Sequence, residues 1–272
     1  MTAWASGRVM PSAAPSAAPC LRVLTYHRCG PSAYDPFCVT RRAFAAQMRH
    51  LAEHELAISL RDLESFLSGT AELRSGSVLV TIDDGFRSVC REMLPVLKQY
   101  AVPAVAFITP SLIDSRPEHL GSLGPCGELP EDYLTWDEIG ALAAQGITIG
   151  SHGWTHRSLG RLSPAEIRDE AGRSRDLLEA RLGCRVTSFA YPYGTRADFN
   201  RTTAMILAEA GYTTVFTSQH GAIARGADPI ELPRIKVEGG EGLWMFRLLC
   251  HGAMDGWRLV DRMLWHWQRP RR

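Results

Sequence analysis

The sequence predicts an α/β fold whose strands run parallel, as a barrel or a doubly wound sheet. Three observations carry this. Short runs rich in Val, Ile, Thr and Phe recur along the chain and are continuously apolar, the pattern of strands buried on both faces of a sheet. Helix-period segments separate them, so strand follows helix in regular order. No long Pro/Gly/Ser linker interrupts residues 21–240, and a 272-residue chain of this pattern fits one domain.

The strand runs fall at 21–26, 77–82, 105–108, 147–150, 188–191, 213–216 and 232–237, and helices are expected at 42–53, 87–100, 136–145, 164–182 and 200–210. Several helices carry start and stop signals. Ser163 precedes Pro164 with Glu166 three residues later, and Gly146, Gly183 and Gly211 stand just past helix ends. The polar segment 111–134 is too long for an ordinary connection and is read as lining or covering a cleft. Residues 242–267 are dense in Leu, Met and Trp at helical spacing, which suits a closing helix packed on the barrel. Alternating Arg and Trp there also suit a membrane-surface helix. The organisation expected is a lead at 1–19, a barrel at 20–240 and a helical extension at 241–272.

Composition and charge narrow the function. Thirty Lys plus Arg against 29 Asp plus Glu leave a net charge of +1, which offers no global field for a nucleic-acid backbone. With 45% hydrophobic and 22% charged residues, the chain is too apolar for a disordered class. No apolar run approaches the roughly 18 to 20 residues that span a bilayer, so no transmembrane segment is expected. The 7 cysteines are odd in number, irregularly spaced and without a CxxC pair, which favours a reducing compartment. Residues 1–19, rich in Ala, Pro and Ser, lack the apolar centre of a secretory signal and read as a disordered lead. A cytoplasmic location is the resulting expectation.

Four segments at strand ends carry the chemistry. Thr81-Ile82-Asp83-Asp84-Gly85 follows an apolar strand, where two carboxylates need a cation because desolvation penalises their charged form. An ordinary Asp-Gly turn is the plain alternative. Ser151-His152-Gly153-Trp154-Thr155-His156 leaves another strand, and two imidazoles four apart in a turn can face one ion. Alone that spacing is weak, since core-satisfied or exposed histidines are commoner. With a carboxylate from the first segment it makes a two-His, one-carboxylate set that leaves positions open for water and substrate.

In Phe189-Ala190-Tyr191-Pro192-Tyr193-Gly194 the Pro and Gly make a rigid turn able to aim a backbone N–H into a cleft. Tyr191 and Pro192 are read as substrate-contacting, the tyrosines forming an apolar wall for a sugar ring. Leu232-Pro233-Arg234-Ile235 puts a guanidinium at the start of the last strand, as a surface charge or as the orienter of a carboxylate.

Taken together and in this order, the segments resemble the polysaccharide deacetylases of the carbohydrate esterase family 4 type. Residues 81–85 match T-F-D-D-G with Ile82 for Phe, His152 to His156 matches H-x-x-x-H, and Tyr191-Pro192-Tyr193-Gly194 matches the end of a third motif. Leu24-Thr25-Tyr26-His27-Arg28 and Leu232-Pro233-Arg234 resemble the branch acting on poly-N-acetylglucosamine-like glycans. The resemblance runs from about Leu21 to Val237 and implies a distorted (β/α)7 barrel in a single domain.

It further implies that Asp84, His152 and His156 hold a divalent metal, zinc foremost, and that Asp83 is the general base; the residues alone do not separate the two aspartates. Many relatives carry Arg where Ala190 stands, and Arg234 is the candidate replacement. For the general acid, His27 and His251 of Leu249-Cys250-His251 are both candidates.

The expected reaction is hydrolysis of N-acetyl groups on an N-acetylated glycan, with the Tyr193 backbone N–H holding the oxyanion. Two other classes remain: a silent carbohydrate-binding barrel, kept open by Ala190, and a glycoside hydrolase using Asp83 and Asp84. Adjacent residues fit poorly the roughly 5 to 9 Å separation that the latter needs.

Overall fold

The computed structural model describes residues 20–31, 35–113 and 133–264. Strand β1 (Cys20–Tyr26) leads into the short paired strands β2 (Arg28–Cys29) and β3 (Cys38–Val39), then helix α1 (Arg41–Glu53). Next come β4 (Ala57–Ile58), α2 (Leu60–Leu67) and β5 (Val78–Ile82). The order continues with α3 (Leu94–Gln99), β6 (Ala104–Ile108), α4 (Trp136–Ala144) and β7 (Thr148–Ser151). Then follow α5 (Pro164–Leu182), β8 (Ser188–Ala190), α6 (Arg201–Glu209) and β9 (Thr214–Phe216). The last described elements are β10 (Ile223–Ala224), β11 (Ile235–Lys236), α7 (Leu243–Cys250) and α8 (Trp257–Leu264).

Strands β1, β5, β6, β7, β8 and β9 pair in parallel, each with the next. Phe216 of β9 bridges Leu232 in parallel, and the same segment continues into β11, where Ile235 pairs with Leu24 of β1. The sheet thus curls into a distorted seven-stranded barrel, with thin pairing between β9 and β11. Antiparallel β10 adds to β1 at one end.

Because side chains alternate along a strand, the apolar residues divide into two clusters. Leu24, Tyr26, Val80, Ile82, Ala106 and Ile108 face the helices outside. Val23, Leu79, Val105, Phe107, Ala190 and Phe216 fill the barrel, and Leu60, Leu63 and Phe66 of α2 plug its lower end. Above the apolar filling the interior turns polar, beginning with Thr25 and Thr81, whose hydroxyls lie 3.2 Å apart. Phe107 also explains Gly150: a Cβ there would come within 2.5 Å of its ring.

Three expectations about elements are corrected. Helix α2 and strand β4 lie where no element was expected; Ser59 and Asp62 form a capping box in which Asp replaces the usual Glu or Gln. The single helix expected at 87–100 begins instead with a π-turn, Val89–Met93, before α3. Pro95 lacks the N–H that would bond to the Arg91 carbonyl, and the ladder shifts so that Leu94 N–H reaches Val89 O.

The single closing helix is two helices, broken around Gly252, whose φ of +92° no other residue tolerates as cheaply. Phe246, Leu249 and Cys250 of α7 nevertheless join the outer core. Among the described residues no helix is long and apolar enough to cross a membrane. The expected lead at 1–19, most of the 111–134 segment and the end of the tail lie outside the described residues.

Candidate active site

The pleat of β5 points Leu79, Thr81 and then Asp83 into the barrel, where Asp83 is buried. Burial alone would push its carboxyl up. Arg234, followed by His152, pulls it below the ordinary carboxylate range. Arg234 makes a bidentate pair with Asp83, Nη1 to Oδ1 and Nη2 to Oδ2 both at 2.8 Å, while its Nε donates to the Thr217 carbonyl at 2.9 Å. The guanidinium is itself 1% exposed, so each charge is the other's main solvent.

Asp84 and Gly85 both take left-handed backbone, φ +74° and +79°, which swings the Asp84 side chain over the barrel mouth. There its Oδ1 lies 3.3 Å from His152 Nε2 and 3.2 Å from His156 Nε2. One ligand atom from each of the three residues lies within 4.8 Å of the others.

His152 Nδ1 lies 2.7 Å from the Ala190 carbonyl; as that oxygen only accepts, Nδ1 carries the proton, which leaves the Nε2 lone pair for a cation. Two imidazole nitrogens and a carboxylate oxygen, open toward a cleft, fit a divalent cation with room for water and substrate. Without a cation, burial would raise the Asp84 carboxyl, but hydrogen bonds from both histidines hold it well below the usual range. His152 responds oppositely: burial would lower it, yet Asp83 and Asp84 raise it.

The histidine loop rests on a residue that the sequence reading missed. Glu170 of α5, buried on the helix's inner face, accepts the backbone N–H groups of Trp154 and Thr155, each at 2.8 Å, and the Thr155 hydroxyl. Ser174, one turn on, meets the Ser151 hydroxyl at 2.7 Å. The sequence signal was a carboxylate in line with Ile167, Ala171 and Leu178, the apolar stripe of α5.

A cavity of about 600 Å³ opens over this centre, with Asp83, Asp84, His152, His156, Arg234, His27 and Tyr193 on its walls. Tyr193 is half exposed with φ +62°, and its ring stands edge-on to His156 with centroids 4.9 Å apart. Tyr191 and Pro192, expected on the cleft wall, are buried instead. The Tyr191 ring stacks on Phe199 at 5.1 Å between centroids. The positive φ at Tyr193 sends the two neighbouring tyrosines to opposite sides.

The two acid candidates separate just as clearly. His27 ends β1 inside the cavity, edge-on to Phe37, and burial holds its imidazole below the ordinary value despite Asp84 and Asp83 nearby. His251 caps the far end of α7 and lines a different recess, so it does not face Asp83. A further imidazole, unforeseen, also lines the cleft: His220, whose Nδ1 meets Asp261 of α8 at 2.9 Å. It stands in a loop with no local signal.

Residues 70–215, more than half of the chain, match the family model of polysaccharide deacetylases. The chain belongs to the polysaccharide deacetylase family. The deacetylase is therefore a hydrolase acting on a glycan. It is 25% identical over 221 residues to the YxkH protein of Bacillus subtilis, covering 81% of this chain and 72% of that one. The poly-β-1,6-N-acetyl-D-glucosamine N-deacetylase of Staphylococcus aureus is 22% identical over 204 residues, 74% of this deacetylase and 68% of its relative.

Among solved structures, IcaB from Ammonifex degensii superposes with a TM-score of 0.70 at 26% identity, over 86% of this chain and 97% of that one. The Streptococcus pyogenes deacetylase PplD, in complex with acetate, shares the fold with a TM-score of 0.72 at 21% identity, over 87% and 99%.

Proposed function

We propose that the deacetylase removes N-acetyl groups from an N-acetylglucosamine-containing glycan, using a divalent cation, zinc foremost, held by Asp84, His152 and His156. The observation that carries this is one carboxylate oxygen met by two imidazole nitrogens at 3.2 and 3.3 Å, beside a second carboxylate locked to a buried guanidinium. The Staphylococcus aureus relative's name directs attention to β-1,6-linked polymer.

Bound there, a divalent cation supplies Lewis-acid polarisation of the acetyl carbonyl and lowers the pKa of water. Asp83 takes the proton of the attacking water. Its ion pair with Arg234 keeps it ionised and aimed between substrate and cation site. The Tyr193 backbone N–H donates to the developing oxyanion. His27 then protonates the departing nitrogen; burial favours its neutral form, so the form that turns over is the one in which His27 has taken up a proton from solvent while Asp83 is still ionised. Acetate and a free amino sugar result. The guanidinium that Ala190 does not provide arrives from Arg234, which removes the motive for a silent barrel.

Metal analysis combined with acetate release from N-acetylglucosamine oligomers tests this. Asp83→Asn is expected to retain the cation while turnover falls by about 10² to 10⁴. Asp84→Ala, His152→Ala and His156→Ala are expected to lose the cation itself. Unchanged cation content in all three would remove the assignment.

A further inference from the structure

We propose that the barrel end opposite the catalytic cleft is a second binding site, for the phosphate group of a small ligand. A recess of about 570 Å³ opens there, within the range of small-ligand sites. It is walled by Arg22 of β1, His50 and His54 at the end of α1, Arg74 ahead of β5, and Arg247 and His251 at the end of α7. No carboxylate lines it. Counting residues along β1 from Arg22 to His27, it lies about 16 Å from the cleft.

The charges in this recess are not used up by the fold. Arg22 is committed, its Nη2 to Asp255 at 2.6 Å and its Nη1 to the Cys250 carbonyl at 3.0 Å. Arg74 donates one nitrogen to the His54 carbonyl. Arg247 makes no side-chain hydrogen bond or ion pair among the described residues. The carboxyl ends of α1 and α7 also point here, each worth about half a negative charge. That offsets roughly one cation, the part of it nearest Arg74 at the end of α1, and leaves the Arg247 guanidinium uncompensated beside three imidazoles.

His50 supplies the second, independent observation. It is 5% exposed, and neither ring nitrogen has a hydrogen-bond partner. Buried polar atoms without partners are rare enough to call for an explanation. An oxygen-rich anion provides one once the His50 ring, whose nitrogens are closed to water in this structure, turns toward the recess: a phosphate oxygen then accepts from the imidazole while others take the guanidinium forks. A metal ion does not fit, because three guanidiniums would repel it, and among the described residues these histidines form no metal-ligating group. Burial, His54, Arg247 and His251 lower His50, with Glu53 opposing them. A bound dianion is therefore expected to raise it.

The test uses the full chain after chelation, which removes cation-held phosphate from the catalytic centre. Inorganic phosphate is titrated by calorimetry while histidine ring signals are followed by NMR. One phosphate per chain is expected, with the His50 ring signals moving and its pKa rising. Arg74→Ala and Arg247→Ala are each expected to weaken binding at least about tenfold while Asp84→Ala leaves it unchanged. Deacetylation by Arg247→Ala remains at the wild-type rate.

Glycerol phosphate and phosphatidylglycerol vesicles form two further arms that separate a soluble ligand from a lipid headgroup. Arg247-dependent binding in either arm supports the site. Phosphate binding indifferent to both arginine substitutions, or no binding in any arm up to about 10 mM, overturns it.

Discussion

Arg234 governs the charge on Asp83, since both groups are removed from water and each has the other as its partner. Arg234→Met leaves a buried carboxylate unpaired, which costs about 3–5 kcal/mol and favours its protonated form. The expected outcome is a fall in acetate release of at least about 100-fold with cation content retained, and an activity limb displaced to higher pH. A pH–rate profile checks it. For the general acid, His27→Ala is expected to lower kcat by about 10² or more, whereas His251→Ala leaves kcat unchanged. Equal losses in the two variants would refute the placement of His27.

At this scale the motif residues Asp83, Asp84, His152 and His156 were legible because their spacing is local. The pairing of Arg234 with Asp83 was readable only as one of two alternatives. It joins residues 151 positions apart, and only the closing of β11 onto β1 brings them together. Tyr191 was misread because a strand-end aromatic looks the same whether it faces the cleft or the core.

Helix α5 shows why elements carry function that motifs do not announce. Its Glu170 fastens the loop between His152 and His156 by three hydrogen bonds, so Glu170→Ala leaves two backbone N–H groups without an acceptor. A loss of about 2–3 kcal/mol in chemical denaturation is expected, from charge-assisted bonds of this kind. A drop of about 10- to 100-fold in cation affinity, read by competition with a chelator, should accompany it. A glutamate in a helix reads as solvated surface, and its burial depends on the strand packed against it. The same reasoning covers α2, whose apolar face has meaning only because the barrel end above it needs filling.

For the whole molecule, the proposed cation site is expected to make stability depend on pH in opposite senses with and without a cation. In the chelated protein His152 is raised, so its contribution is complete below the free histidine value of about 6.5 and is lost as pH rises through the folded value. His27 is lowered, and its neutral form favours folding progressively up to about pH 6.5. Asp83 and Asp84 are lowered too, and their contribution is lost only as pH falls below about 4. The chelated protein is therefore expected to be most stable near pH 6.5 and to lose Tm toward pH 8. That window lies below the titration of buried thiols such as Cys29, pushed up to about 12. The cation-loaded protein is expected to gain Tm over the same interval, because protons no longer compete for the ligand nitrogens. Parallel thermal scans at pH 6.5 and 8 with and without chelator settle the sign.

By itself the sequence determined the periodic order of strands and helices and the short segments at strand ends, because these depend on neighbours a few residues apart. Tertiary structure alone decided which arginine partners Asp83, which histidine faces the cleft and which tyrosine is core. Each of those depends on how the barrel closes and on the left-handed turns at Asp84, His156 and Tyr193, where a single dihedral angle sends a side chain to one face or the other.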